Sequence, residues 1–182
     1  MKKITVLFAL LTVCGLVLQW SGFLARTDFT LTNKQSDWTF SQHARKLNLI
    51  YFGYTSCPDA CPMALSFSAK AWGLLSPEQQ KNVAIIFISV DFEHDTSELV
   101  ARYAEQFKVG VIGLTGSKKQ LDIVAQLFHV AYETERDPRS KLGYAIGHTD
   151  KIFFVGRSGK VLEEIPGPRD HTSVLEAIKR NL

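Results

Sequence analysis

The chain has 182 residues, of which 46% are hydrophobic and 21% charged; this composition suits one globular domain with a short appendage and excludes both disorder and a second large domain. Its 21 basic and 18 acidic residues leave a formal charge of +3 and are scattered along the chain. Without basic blocks to track a phosphate backbone, a nucleic-acid partner is excluded.

Lys2 and Lys3 precede an apolar run from Ile4 to Leu24. As a helix this run would reach about 31 Å, matching a hydrocarbon core of roughly 30 Å. Apolar residues continue past Cys14 to Trp20, and Phe23 spoils the Ala-ended cleavage site at Ala25. A retained membrane anchor over residues 1–25 is therefore favoured over a cleaved signal. Val13 is bulky for a lipidation site, so Cys14 reads as a small membrane residue. Lys2 and Lys3 would stay in the cytoplasm, which puts the domain at 26–182 in the bacterial periplasm, on a single-span inner-membrane protein. Cys57 and Cys61 are then a cysteine pair in an oxidising compartment.

Asp28 to Asn33 and Asp37 to Phe40 suggest an outer hairpin. Leu47–Tyr54 and Val83–Phe92 are continuous apolar runs and read as central strands buried on both faces. Between them, Leu65, Ala69, Trp72 and Leu75 repeat at helical spacing within Met63–Leu75. Thr96 opens a helix with Leu99, Val100, Tyr103 and Phe107 on one face, and Val109–Thr115 gives a short strand. Ser117 caps a helix bearing Leu121, Val124, Ala125 and Phe128. Thr134–Tyr144, with Pro138, Lys141 and Gly143, reads as a polar loop. Lys151–Gly156 and Lys160–Ile165, separated by Arg157-Ser158-Gly159, form a hairpin, and a helix over Asp170–Lys179 closes the chain. A βαβ half followed by a β-hairpin and a helix is a thioredoxin-like α/β plan.

The chemistry concentrates in Tyr54-Thr55-Ser56-Cys57-Pro58-Asp59-Ala60-Cys61-Pro62, between a central strand and a helix, where open α/β sheets place their sites. A helix begun at Pro58 would bring Pro62 against the carbonyl of residue 58, so the regular helix is expected to start near Pro62, with Cys61 close to the N-cap and Cys57 in the preceding turn. The positive end of the helix dipole lowers thiol pKa there and suits the cysteines to metal ligation or nucleophilic attack. A plain stabilising disulfide is the competing reading, but closing so small a loop stabilises little. Thiol–disulfide exchange stays open, although the better-known redox spacing has two intervening residues.

Phe52-Gly53-Tyr54-Thr55 leading into Cys57-Pro58-Asp59-Ala60-Cys61-Pro62, then Ser89-Val90-Asp91 with Asp95-Thr96, then His148-Thr149, resembles in order and interval the three signatures of the Sco (SenC-type) copper chaperones. The resemblance runs from about residue 28 to the C-terminus. It implies one copper ion per chain, Cu(I) or Cu(II), held by Cys57, Cys61 and His148. It also implies a partner, cytochrome c oxidase subunit II or another copper-site apoprotein, whose binuclear copper site receives copper or has its thiols maintained. Two departures stand out: Gly147 precedes His148 where many members carry aspartate, and Phe92 follows Asp91 where proline is expected. The donor set agrees with the resemblance, because two thiolates and an imidazole are soft and suit copper, whereas a structural zinc site wants a fourth protein ligand.

His43, His129 and His171 read as surface or cap residues. His94 lies nearer the cysteines, just past a central strand. Asp91 and Asp95 could pair or hold the metal loop, with helix capping by Asp95 or Thr96 the plainer role. Tyr51, Phe52, Tyr54, Phe67 and Trp72 read as core. The alternative function is a membrane-tethered thiol/disulfide reductase using Cys57 and Cys61, recharged by a thiol-reducing protein, and a third is a redox or copper sensor. The imidazole separates the first two, being needed for a copper site and dispensable for dithiol exchange.

Overall fold

The computed structural model describes residues 27–107, 110–138, 140, 143–168 and 170–182. The strands are β1 (Thr30–Asn33), β2 (Ser36–Thr39), β3 (Leu47–Gly53), β4 (Val83–Ser89), β5 (Ile112–Leu114), β6 (Tyr132–Arg136), β7 (Tyr144–His148), β8 (Lys151–Gly156) and β9 (Val161–Pro166). The helices are α1 (Phe40–His43), α2 (Ala60–Gly73), α3 (Pro77–Lys81), α4 (Ser97–Glu105), α5 (Lys118–Leu127) and α6 (His171–Asn181).

Five strands form one mixed sheet in the order β5-β4-β3-β8-β9. β3, β4 and β5 are parallel, while β8 runs antiparallel to both β3 and β9. Every residue of β3 and β4 is buried, as expected of central strands covered on both faces. Helices α2 and α6 pack together, and Tyr103 of α4 lies against Phe87 of β4. On the other face Phe128, at the end of α5, meets Phe52, Phe153 and Phe29, the last from the segment leading into the β1–β2 hairpin. This is the expected thioredoxin-like plan with a hairpin added in front.

Buried Asn48 is fully partnered. Its amide donates to the carbonyls of Val155 (3.0 Å) and Arg45 (3.1 Å), and its oxygen accepts the Arg45 N–H (2.9 Å), which pins β3 against β8. Thr96 and Ser117 cap α4 and α5 as the sequence suggests, Ser117 in a capping box with Gln120.

Three expectations need correction. Thr134–Tyr144 is not a polar loop throughout: β6 and β7 enter it from either side and pair antiparallel, Tyr132 opposite His148. Tyr-Glu-Thr-Glu-Arg carries little apolar signal because β6 is almost wholly exposed, so periodicity could not reveal it. Helix α2 starts at Ala60, two residues before Pro62. Pro62 is tolerated because it occupies the first turn, where its missing N–H would have had no helical partner, and the first helical bond runs from Met63 to Asp59. The strand over Val83–Phe92 ends at Ser89, where the chain turns to bring Asp91 and Asp95 inward. The anchor assigned to residues 1–25, Cys14 included, lies outside the described residues; among those described, no helix is long and apolar enough to cross a membrane.

Candidate metal centre

The site forms where β3 ends and α2 begins. Gly53 closes β3, the Cys57 N–H donates to the Tyr54 carbonyl (3.2 Å) to close a turn, and Cys61 sits in the first turn of α2 with its N–H aimed at Cys57 Sγ (3.5 Å). A Cβ at Gly53 would stand 2.5 Å from Cys61 Sγ, so glycine is what leaves room for the sulfur against the sheet. His148 arrives from the other side of the fold as the last residue of β7, its Nε2 3.5 Å from Cys61 Sγ. The two sulfurs and one ring nitrogen lie within 4.8 Å of one another, which brings together all three residues singled out from the sequence.

The imidazole is held in place by its neighbours. Tyr51 and Tyr54 flank it in T-shaped contacts, at centroid distances of 5.9 and 6.1 Å and interplanar angles of 88° and 84°. Its Nδ1 lies 3.3 Å from the Thr149 carbonyl, which can only accept, so Nδ1 donates there and Nε2 is the nitrogen that faces the sulfurs. Tyr51, read as core, is both core and wall; its hydroxyl donates to Asp150 Oδ1 (2.8 Å), beside the start of β8.

A carboxylate fixes the cysteine turn from below. Buried Asp95 accepts the Thr55 N–H (2.7 Å), the Thr55 hydroxyl (2.5 Å) and the Ser89 hydroxyl (2.5 Å). Asp95 is therefore no helix cap; Thr96 takes that role, and Asp95 holds the loop, a less plain role than the capping expected of it. Asp91 ties down the hairpin: its carboxylate accepts the Tyr144 hydroxyl of β7 (2.6 Å) and pairs with His94 Nδ1 (2.8 Å), while the His94 ring stacks on Tyr144 at 4.6 Å. His94 thus braces the hairpin and stays out of the sulfur cluster. His43 stacks on Trp38, His129 follows α5 with φ 53°, and His171 begins α6, so none of these joins the site.

The two thiols are free and differ in character. The Cys61 thiol donates to Cys57, which holds the Cys57 pKa down at about 4 against the opposing effect of burial; His148 helps to lower it. The same hydrogen bond, together with burial and the adjacent Cys57 charge, pushes Cys61 upward. At neutral pH the pair carries one negative charge and one retained proton, with the charge on half-buried Cys57 and the proton on fully buried Cys61. A cation between the sulfurs would replace that proton and relieve the repulsion that keeps it there.

The departure at Gly147 also has a structural meaning. Strand alternation turns position 147 away from His148, the residue is exposed, and a Cβ there would find nothing nearer than the Glu133 carbonyl at 3.9 Å. The missing carboxylate would therefore face outward, on the opposite side of the strand from the imidazole.

A family model described as SCO1/SenC matches residues 21–182. The chain belongs to the SCO1/SenC family. Among its relatives, a SCO2-like protein of Rickettsia felis is 28% identical over 155 residues, covering 85% of this chain and 75% of that one. Two solved members superpose with TM-scores of 0.78. One is apo Sco1 of Thermus thermophilus, 33% identical, covering 86% of this chain and 91% of its own; the other is Arabidopsis thaliana ScoI with copper bound, 27% identical, covering 86% and 96%. The matched stretch spans between 38% and 75% of the lengths of the curated relatives.

Proposed function

We propose that this SCO1/SenC member is a membrane-anchored copper chaperone that holds one copper ion on Cys57, Cys61 and His148. It serves the binuclear copper site of cytochrome c oxidase subunit II, or of another copper-site apoprotein, by delivering copper or by keeping the site's thiols reduced. The observation that carries this reading is the cluster itself: two sulfurs and an oriented imidazole nitrogen within 4.8 Å, assembled from residues 87 apart in sequence. Soft donors in this number suit copper, and a glycine and two tyrosines shape the space around them. Family membership supports the same cargo, since the Arabidopsis relative is solved with copper bound, and BsSco is described as a member of the Sco family of cytochrome c oxidase assembly proteins. The apolar run from Ile4 to Leu24 supports a single-span anchor, with the domain on the periplasmic side of a bacterial inner membrane.

On this reading Cys57, the more exposed sulfur, is the donor that an incoming partner thiolate meets first, whereas Cys61 and the imidazole stay behind in the fold. The low pKa of Cys57 also favours a second reading, thiol/disulfide exchange on the partner. Cys57 would attack a partner disulfide, and Cys61, after losing its proton, would displace the partner to leave a Cys57–Cys61 disulfide and a reduced substrate.

Copper stoichiometry and thiol exchange measured on His148→Ala decide between them. The chaperone requires loss of stable Cu(II) binding, with weaker Cu(I) retained on the two thiolates and exchange intact. Wild-type Cu(II) binding in the variant would remove His148 from the site and put the reductase first.

A further inference from the structure

The end of the sheet opposite the metal cluster has a character of its own. Arg45 and Lys46 immediately precede β3, Lys81 ends the helix that leads into β4, and Arg157 immediately follows β8. Because β3 and β4 are parallel and β8 is antiparallel, with Leu47 opposite both Val83 and Gly156, the topology brings all four cations to one edge. All four are exposed and line a cleft of about 390 Å³. Arg45 donates to the Lys81 carbonyl (2.9 Å), which joins two of these loops. Lys160, in the β8–β9 turn, adds a fifth exposed cation. Glu78 pairs with Lys81 at 3.3 Å between two largely exposed side chains, a contact of little consequence in water.

Two further observations indicate what this end faces. The first described residue, Thr27, packs onto the β8–β9 turn: Gly159, with φ 85°, lies so close that a side chain there would collide with the Thr27 carbonyl. Thr27 follows the apolar run by three residues in sequence, so the described chain begins at the β8–β9 turn, two residues from Arg157. Leu74, 57% exposed where α2 finishes, and Leu162, 44% exposed beside Gly156, add uncovered apolar side chains at the same end. Exposed leucines among lysines and arginines fit the boundary of a bilayer, where cationic heads meet phosphate and apolar groups enter the acyl layer.

We propose that this end of the domain rests on anionic phospholipid headgroups and so fixes the domain's orientation, with Arg45, Lys46, Lys81, Arg157 and Lys160 as the contact residues. β3 spans about 20 Å from this face to the cysteine turn. The metal cluster accordingly points away from the bilayer, toward a partner standing above it. This inference rests on the anchor reading, and it adds a second contact that the anchor alone does not require.

The test uses the full chain reconstituted into vesicles of phosphatidylcholine alone or with added phosphatidylglycerol. Flotation reports anchoring, and amine-reactive labelling of Lys46, Lys81 and Lys160, read by mass spectrometry, reports the face. The expected result is flotation with both lipids, labelling slowed severalfold only on the anionic vesicles, and loss of that protection at high salt. Neutralising Lys46 and Lys81 to glutamine should weaken docking about fivefold per charge, as read from the labelling of Lys160, while flotation and copper stoichiometry stay unchanged. Equal labelling on both lipids with flotation intact overturns the proposal and leaves the anchor standing. Equal protection by free inorganic phosphate on neutral vesicles also overturns it, by making the face a general anion site. Failure to float with either lipid removes the anchor, and this proposal with it.

Discussion

The two sides of the metal cluster are built differently. The cysteine turn is set into the core: Cys61 and Asp95 are buried, and three hydrogen bonds to one carboxylate hold the loop to the end of β4. The hairpin bearing His148 is a two-stranded sheet with one strand almost wholly exposed, tied back by the Tyr144 hydroxyl on Asp91 and closed at its own base by Thr149, whose hydroxyl oxygen accepts the Ala131 N–H at 3.0 Å. Fold stability and the soft thiolate pair therefore belong to one side, and the donor that completes the set belongs to the other. The proposed chaperone role would draw on this asymmetry, because a site rigid on both sides would hold its ion and one loose on both would not select it.

The sharpest test of the difference is the charge on the cysteine side. With its pKa held near 4, well below the usual thiol value, Cys57 remains thiolate as the pH falls. Its alkylation rate should stay nearly flat between about pH 8 and 5, where an unperturbed thiol loses about a thousandfold. Buried Cys61, its pKa pushed the other way, should stay unmodified. Since the Cys61 thiol is the largest cause of the lowering, Cys61→Ala should restore much of the ordinary slope; a tenfold fall per pH unit in the wild type would remove the asymmetric pair.

Next in size is Asp95→Ala, which strands two hydroxyls and an N–H at a buried position. Denaturant unfolding should show a loss of about 3 kcal/mol, with copper binding lost as the turn relaxes. Gly53→Ala acts on the same side through space alone. Its new methyl must displace Cys61 Sγ or the Phe87 ring, costing about 2 kcal/mol and weakening Cu(I) and Cu(II) together. The hairpin side should behave otherwise: Tyr144→Phe deletes one hydrogen bond to a carboxylate, so about 1.5 kcal/mol is expected, read as a modest shift in the denaturant midpoint. It should weaken Cu(II) more than Cu(I), because only the imidazole's support is loosened. Equal weakening of both states would mean that the hairpin also positions the cysteines.

The same asymmetry governs what the sequence discloses. Leu47–Gly53, Val83–Ser89 and the β8–β9 hairpin are legible because burial forces apolar residues into them, and Thr96 and Ser117 are legible because orphan N–H groups demand a cap. The cysteines stand out by type and spacing. β6 does not, because an exposed strand paired only with β7 has no face to fill. Asp95 resembles a cap because it stands beside one; its partners Thr55 and Ser89 meet it only when β3 and β4 lie side by side. Likewise, nothing local announces that Tyr51 and Tyr54 flank an imidazole 97 and 94 residues further on. The five scattered cations at the far end of the sheet look unremarkable along the chain, and gather only where strand ends meet.

Asn48 gives the cluster a temporal order. Cys57 and Cys61 are near each other even in an unfolded chain, so a nascent polypeptide already offers two sulfurs. The imidazole arrives only after β8 has found β3, a pairing across about a hundred residues whose register Asn48 locks through the Val155 carbonyl. Contacts of such sequence separation form late, since loop closure must precede any gain from them. A one-residue slip would turn the side chains of β8 to the wrong faces and shift the chain leading into it, His148 included, by about 3.3 Å relative to the cysteine turn. On the proposed copper reading, full coordination would thus be a proofreading step: only a chain that has completed this distant pairing, in the right register, could close three donors around the ion.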